Sequence, residues 1–224
     1  MLQAYHGSEW NKVAILAQLR RHAEADEIIK GQYWENGKGC AVGCTIHSGK
    51  HAEYEPRFGI PEMIARLEDV IFEGLPNGES KKWPIDFMSA ITPGADLSCV
   101  GWQFLHWLLT DEKVNPGINH PLVRDAVRQC ADVLVSLTKG EPVDRSAAWS
   151  AARSAAESAV NAEDAARSAA NAAESAAYAA YAAESAASAA VNAAWSAARS
   201  AAYVLMAAKL LELLRAAPIA GAEG

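Results

Sequence analysis

The chain has 224 residues and a formal net charge of −7 at pH 7; 51% of its residues belong to the set AVILMFWYC, yet only 8% are aromatic. An acidic chain lacks the basic stripe that displaces counterions, so no nucleic-acid partner is expected. No run of about 18 apolar residues marks a membrane span, and the opening Met1-Leu2-Gln3-Ala4-Tyr5-His6 lacks the basic-then-apolar order of a secretory signal, so a cytoplasmic protein without a membrane partner is expected.

Ser8 is placed to cap a helix running to about Lys30 and closed by Gly31. The segment 31–54 is dense in Gly and reads as loop or short strand. Pro61 suits the first turn of a second helix, whose Ile64, Leu67 and Ile71 share a face and which stops at Leu75-Pro76-Asn77-Gly78. A short helix starts at Pro84 and stops before Thr92-Pro93-Gly94. Asp96 caps the next, with Val100, Phe104 and Trp107 recurring at helical spacing; Trp102, His106 and Trp107 read as core rather than as a ligand cage. A further helix follows Pro121, with Val123, Val127, Leu134 and Leu137 inward and Gly140 as its stop. Period-two alternation is scarce, so no sheet is predicted elsewhere.

Beyond Gly140-Glu141-Pro142 the composition changes. All four Cys and all six His precede residue 131, and the stretch 143–217 contains neither Gly nor Pro. This second part is built from Ala-Ala-x-Ser units whose larger or polar residues recur at a mean spacing of 3.6 over 149–203, the period of an α-helix in its strongest helix former. One helix over 144–215 would be about 108 Å long, so the tract is expected to fold back as an antiparallel bundle, with breaks near 161–164 or 188–192. The Leu-rich stretch 204–214 then supplies side chains that dock the tract on the first part. The expected class is all-α, with a multi-helix part at 1–141 and an Ala-rich helical bundle at 142–224. The tract reads as scaffold; the sharper alternative has Tyr178, Tyr181 and its Arg residues completing a pocket or a partner surface, including a homo-oligomer contact.

Chemistry-bearing residues concentrate at 37–51, where Cys40, Cys44, His47 and His51 are spaced by four, three and four. On a helix they fall within about 60° of one another, although Gly43 and Gly49 interrupt it. Three chemistries fit. Zinc is one, since Cys-x3-Cys and His-x3-His have ligand spacing; yet a zinc finger needs a loop of roughly a dozen residues between the pairs, and ligands 11 residues apart on a helix are about 16 Å apart. Two or three of them could bind zinc with help from His6, Asp26 or Glu55. Nucleophilic catalysis is another: Cys40 or Cys44 at a helix start beside Lys38, His47 as base, and Glu53, Glu55 or Asp26 as its orienter. The plainer alternative is that both Cys are small buried hydrophobes.

The third chemistry is anion binding. Gly37, Gly39 and Gly43 let backbone N–H groups approach a phosphate, with Lys38 and Thr45 as further donors. The Walker spacing is absent. Tyr33, Trp34 and Tyr54 flank the loop and suit stacking on a ring, with His6 and His51 as polar wall. Arg66, Glu68, Asp69 and Glu73 read most simply as a solvated helix face with i,i+3 and i,i+4 pairs, a supporting role for Glu68 being the minor alternative.

The stretches Ala4-Tyr5-His6-Gly7, GKGCAVGCTIHS at 37–48 and GIPEMIARLEDVIFEGLPN at 59–77 resemble a family of uncharacterised bacterial and phage-encoded proteins with variable Ala-rich tails. The resemblance covers about the first 110 residues and implies a setting, with no catalytic residues. In style alone the tail resembles Ala-rich helical proteins designated immunity proteins. Three functions follow as expectations, in order: a protein that binds a small anionic, nucleotide-like ligand at 40–51, in a phage setting as an anti-defence sequestrant; a Cys/His-dependent hydrolase or transferase; and a helical interaction or immunity-type protein. No cofactor is expected beyond the zinc alternative.

Overall fold

A computed structural model describes residues 2–114, 124–141 and 184–221. Of the described residues 66% are helical, and the one sheet among them has two strands, so the helical class is borne out. Tyr178, Tyr181, the break at 161–164 and the antiparallel packing of the tract lie outside the described residues. By contact the chain forms two compact units, Met1–Phe104 with Tyr203–Gly224, and Leu105–Ala202.

In the first unit, Tyr5 and His6 adopt left-handed φ of 53° in a short turn, Ala4–Gly7. The turn buries the Tyr5 ring, whose hydroxyl donates to the Met88 carbonyl at 2.6 Å. Ser8 then caps α1, Glu9–Glu24, accepting from the Asn11 N–H. Ile15, Leu16 and Leu19 form its buried stripe. The helix stops six residues short of the expected Lys30. Asp26 turns left-handed (φ 55°), and the backbone beyond it pairs instead with a distant segment: Ile29 N–H donates to the Gly39 carbonyl at 2.8 Å, and Gly39 N–H to the Glu27 carbonyl at 3.0 Å. Those bonds replace the helical ones.

The Gly-dense segment contains strands β1, Trp34–Glu35, and β2, Lys38–Gly39, paired antiparallel. Asn36 and Gly37 turn between them with φ of 52° and 80°, the two positive φ values that a tight two-residue hairpin demands and Asn-Gly satisfies. Then comes α2, Ala41–Ile46, with every residue buried. It is shorter than the helical stripe through Cys40, Cys44, His47 and His51 requires. Cys40 is its N-cap and His47 its left-handed C-cap (φ 54°), so His51 belongs to a separate turn, His51–Glu53.

Next are α3, Tyr54–Phe58, and α4, Glu62–Gly74, which buries Ile64, Ala65, Glu68, Ile71 and Phe72. Two short helices follow, α5, Asn77–Ser80, and α6, Trp83–Ala90. Helix α1 packs on α2 and α6, and α2 also packs on α4. The start of α7, Val100–Thr110, adds buried Val100 and Phe104. Residues 203–221 complete this unit: Ala207, Leu210 and Leu214 are buried, and the end of the chain bonds to the 94–96 turn through Asp96 N–H to Pro218 O at 2.7 Å and Ala220 N–H to Gly94 O at 2.9 Å. Of the Leu-rich stretch, Leu210 and Leu214 are buried in this unit, whereas Leu205 is exposed.

The second unit contains the end of α7, α8 (Arg124–Thr138) and the first part of α9, Glu184–Ala216. In α8, Val127 and Ala131 are buried and Leu134 and Leu137 half-buried. Gly140 follows with φ 71°, as a helix stop requires. Trp102, His106 and Trp107 on α7 are half-buried, and Trp107 donates to Asp111 at 3.0 Å. Helix α9 continues through 188–192, so no break falls there; with neither Gly nor Pro, nothing in that stretch opposes the helix.

Candidate functional site

Helix α2 carries candidate chemistry at both of its ends. The segment 32–34 lies across it so closely that a Cβ on Gly39 or Gly43 would overlap the Tyr33 carbonyl, and one on Gly49 would press on the Tyr33 ring. The glycines therefore serve backbone packing at this contact. Cys40 N–H donates to the Gln32 carbonyl at 2.7 Å, fixing the start of α2 beside Tyr33.

At this end Gly31, Gln32, Tyr33 and Cys40 face Asp69 and Glu73 of α4 across a cleft of about 210 Å³. Asp69 Oδ2 is bonded twice, by the Tyr33 hydroxyl at 3.3 Å and by His51 Nε2 at 3.1 Å. Its other oxygen, Oδ1, is buried and makes no hydrogen bond to a described residue. Glu73 accepts the Gly31 N–H on both oxygens, at 3.0 and 3.1 Å. One ligand atom each from Cys40, Asp69 and Glu73 lie within 4.8 Å of one another.

Glu68 lies fully buried on the adjoining face of α4, its Oε2 accepting from the Tyr54 hydroxyl at 2.6 Å and its Oε1 unpaired among the described residues. Burial pushes the Glu68 carboxyl up to about 8, and the Asp69 charge adds to the shift while the Tyr54 bond opposes it. The same burial, with Glu68 beside it, pushes Tyr54 well above the usual phenol range. The Cys40 thiol is pushed up to about 12, first by burial and then by Asp69 and Glu68, against a lowering bond from the Gly43 backbone. Cys44 is likewise pushed up to about 12 by burial, and its thiol donates to the Gly39 carbonyl at 3.3 Å. Neither thiol bonds an imidazole among the described residues, and raised values are the reverse of what an activated nucleophile needs.

The expected site residues therefore separate. Tyr33, Cys40 and His51 meet at the cleft, and Tyr54 joins them through Glu68. His47 and Trp34 lie together at the other end of α2, their rings stacked at 4.3 Å. Gly39, Gly43, Cys44 and Thr45 are buried, the Thr45 hydroxyl donating to the Ala41 carbonyl at 2.8 Å. Lys38 is exposed on β2. His6 is exposed, with Nε2 3.2 Å from the Pro56 carbonyl.

Asp69 and Glu73 escape sequence reasoning as cleft residues because their spacing with Arg66 reads as a solvated face. For Glu68 a signal exists: it stands four residues after Ile64 and three before Ile71, on the apolar stripe itself. His22 and Glu27 carry no local motif, and only the fold brings them to His47. No family model, curated protein or solved structure matches the chain.

Proposed function

We propose that the protein binds a small ligand in the cleft between Tyr33, Cys40, Asp69 and Glu73. One observation carries this reading: Asp69 lines a cleft, and its buried Oδ1 makes no hydrogen bond to a described residue. Leaving such a group unsatisfied costs about 1–3 kcal/mol or more, a cost that a ligand donor offsets. The lining contributes two carboxylates and neither Lys nor Arg, so the ligand presents N–H donors or a positive charge to it. At about 210 Å³ the cleft is below the roughly 300–1,000 Å³ of sites for drug-sized molecules, which fits one ring or head group, with Tyr33 as a stacking face.

A nucleotide-like ligand is retained in this form: the amino edge of a base faces the carboxylates and any phosphate stays outside. Sequestration of a host signal by a phage-type protein is the role that the family resemblance adds. A Cys40-dependent hydrolase or transferase fits less well, because no imidazole among the described residues bonds the thiol and burial raises its pKa instead of lowering it. Thermal-shift screening of amino-substituted heterocycles, amines and anions against the wild type and Asp69→Asn tests the reading. Binders among the first two classes that Asp69→Asn loses are expected; anions stabilising both proteins equally would refute it.

The convergence of Cys40, Asp69 and Glu73 within 4.8 Å favours a second reading, a zinc ion in the same cleft. Zinc takes thiolate sulfur at about 2.3 Å and carboxylate oxygen at about 2.0–2.2 Å, and its charge would reverse the upward shift of the thiol. Elemental analysis of the purified protein and of Cys40→Ser separates the two readings: a zinc that Cys40→Ser loses establishes the second.

A further inference from the structure

The opposite end of α2 brings together two imidazoles from distant parts of the chain. His22, in the last turn of α1, places Nε2 3.0 Å from Nε2 of His47. Its other ring nitrogen, Nδ1, is 2.6 Å from Glu27 Oε2. A carboxylate only accepts, so Nδ1 carries a proton, and in the tautomer with no second proton Nε2 is the bare nitrogen that faces His47. The neighbouring Gln18 side-chain amide is committed elsewhere, donating to the Cys44 and Thr45 carbonyls at 2.7 and 3.0 Å, with His47 Nε2 farther off at 3.4 Å. Two facing nitrogens at this distance need something electrophilic between them, either a shared proton or a metal ion.

The rings are also held in place. Trp34 stacks on His47 at 4.3 Å with planes 23° apart and meets His22 edge-on at 5.4 Å. His47 itself is left-handed (φ 54°, ψ 38°), a helix-end conformation that Gly usually supplies, and the strain of keeping a larger residue there is of the kind found at functional sites. His47 is exposed, which leaves a path for an ion.

We propose that His22 and His47 are the protein ligands of a divalent transition-metal site, zinc being the representative ion, with Glu27 orienting His22. Two nitrogens on one tetrahedral zinc, at about 2.0–2.1 Å each, stand about 3.3 Å apart, so the observed pair, 3.0 Å apart, would open by a few tenths of an ångström with both rings turning until their lone pairs converge on the ion. The carboxylate–histidine–metal relay fixes the tautomer and raises the ligand's basicity. With two protein ligands, one fewer than the three of a catalytic zinc, the remaining positions belong to water or to donor atoms of a small molecule. The site is independent of the cleft at Asp69.

Zinc titrated by calorimetry into the full chain after chelator treatment tests this, with cobalt absorption as a second readout. Wild type is expected to bind an ion that His22→Ala and His47→Ala lose and that Glu27→Gln binds about 10–100-fold more weakly, while Cys40→Ser and Asp69→Asn bind it unchanged. His22→Gln and His47→Gln keep side-chain bulk, so a folding defect in the Ala variants does not mask the result. Absence of binding to the wild type would mean that the pair shares only a proton, and overturns the proposal. So does binding that the His variants retain, and so does a loss that follows Cys40→Ser, which would assign the metal to the acidic cleft.

Discussion

The two ends of α2 hold opposite kinds of chemistry on one six-residue helix. At the Cys40 end, buried carboxyl, thiol and phenol groups crowd together, and each of Glu68, Cys40 and Tyr54 is pushed toward its neutral form chiefly by burial. At the His47 end, two imidazoles face each other beside a single carboxylate. The first arrangement suits a donor or a cation from a ligand, and the second a proton or a metal ion between the nitrogens. Neither end resembles an activated thiolate, which would need a cation or an imidazole close to the sulfur.

Both ends depend on the same close packing of residue 33 on α2, so one substitution is expected to break them together. Gly43→Ala drives a Cβ into the Tyr33 carbonyl; such overpacking typically costs about 1–3 kcal/mol, and a clash with backbone lies at the upper end. Circular dichroism and thermal melting should show a large loss of stability, with both binding sites lost. A Gly43→Ala protein of wild-type stability would refute the packing.

A second difference concerns thiol reactivity. With Cys40 raised from 9.0 to about 12, about a thousand-fold less thiolate is present than for an ordinary thiol. Alkylation by iodoacetamide at pH 8, read by peptide mass spectrometry, should leave Cys40 unmodified while a denatured control is labelled. Rapid native-state labelling would return Cys40 to consideration as a nucleophile.

The third concerns pH. Glu68 is raised from 4.5 to about 8 in the fold, so the protonated carboxyl stabilises it. That contribution is fully present below about 4.5 and is lost as pH rises through about 8. The expected size is on the order of 2–3 kcal/mol, since each tenfold change in proton affinity is worth about 1.4 kcal/mol and local relaxation takes part of it. Denaturant titrations at pH 5 and pH 8.5 should show the loss in wild type and its removal in Glu68→Gln; equal losses in the two proteins would contradict it. Smallest is the effect of Tyr33→Phe. It deletes the partly exposed 3.3 Å bond to Asp69, worth about 1 kcal/mol or less, and should weaken ligand binding at the cleft while leaving zinc binding at His22 and His47 unchanged.

Much of the backbone was legible because its signals are local. Ser8 caps α1, Gly140 follows α8, and Asn36-Gly37 carries a hairpin signature that a reading of the segment as loop or short strand only half used. The end of α1 was not legible, since the pairing of Ile28 and Ile29 with Gly39 that replaces helical bonds is a contact across ten residues. The chemistry was legible in place but not in grouping. Spacing of four, three and four suggested one stripe, and the left-handed turn at His47 splits it, sending Cys40 and His51 toward Asp69 and His47 toward His22. Glu68 shows the converse: its place on the apolar stripe was readable, but the charge of a Glu suggests solvent, and only Tyr54 and the burial around it explain why it lies inside.

The central claim is that the acid-lined cleft holds a small molecule through Asp69. Mass spectrometry of small molecules released on denaturing the purified wild type and Asp69→Asn tests it most directly. A stoichiometric compound bearing N–H donors or positive charge is expected, recovered unchanged from the wild type and absent from the variant. The same compound recovered equally from both proteins, or no compound from either, would contradict it.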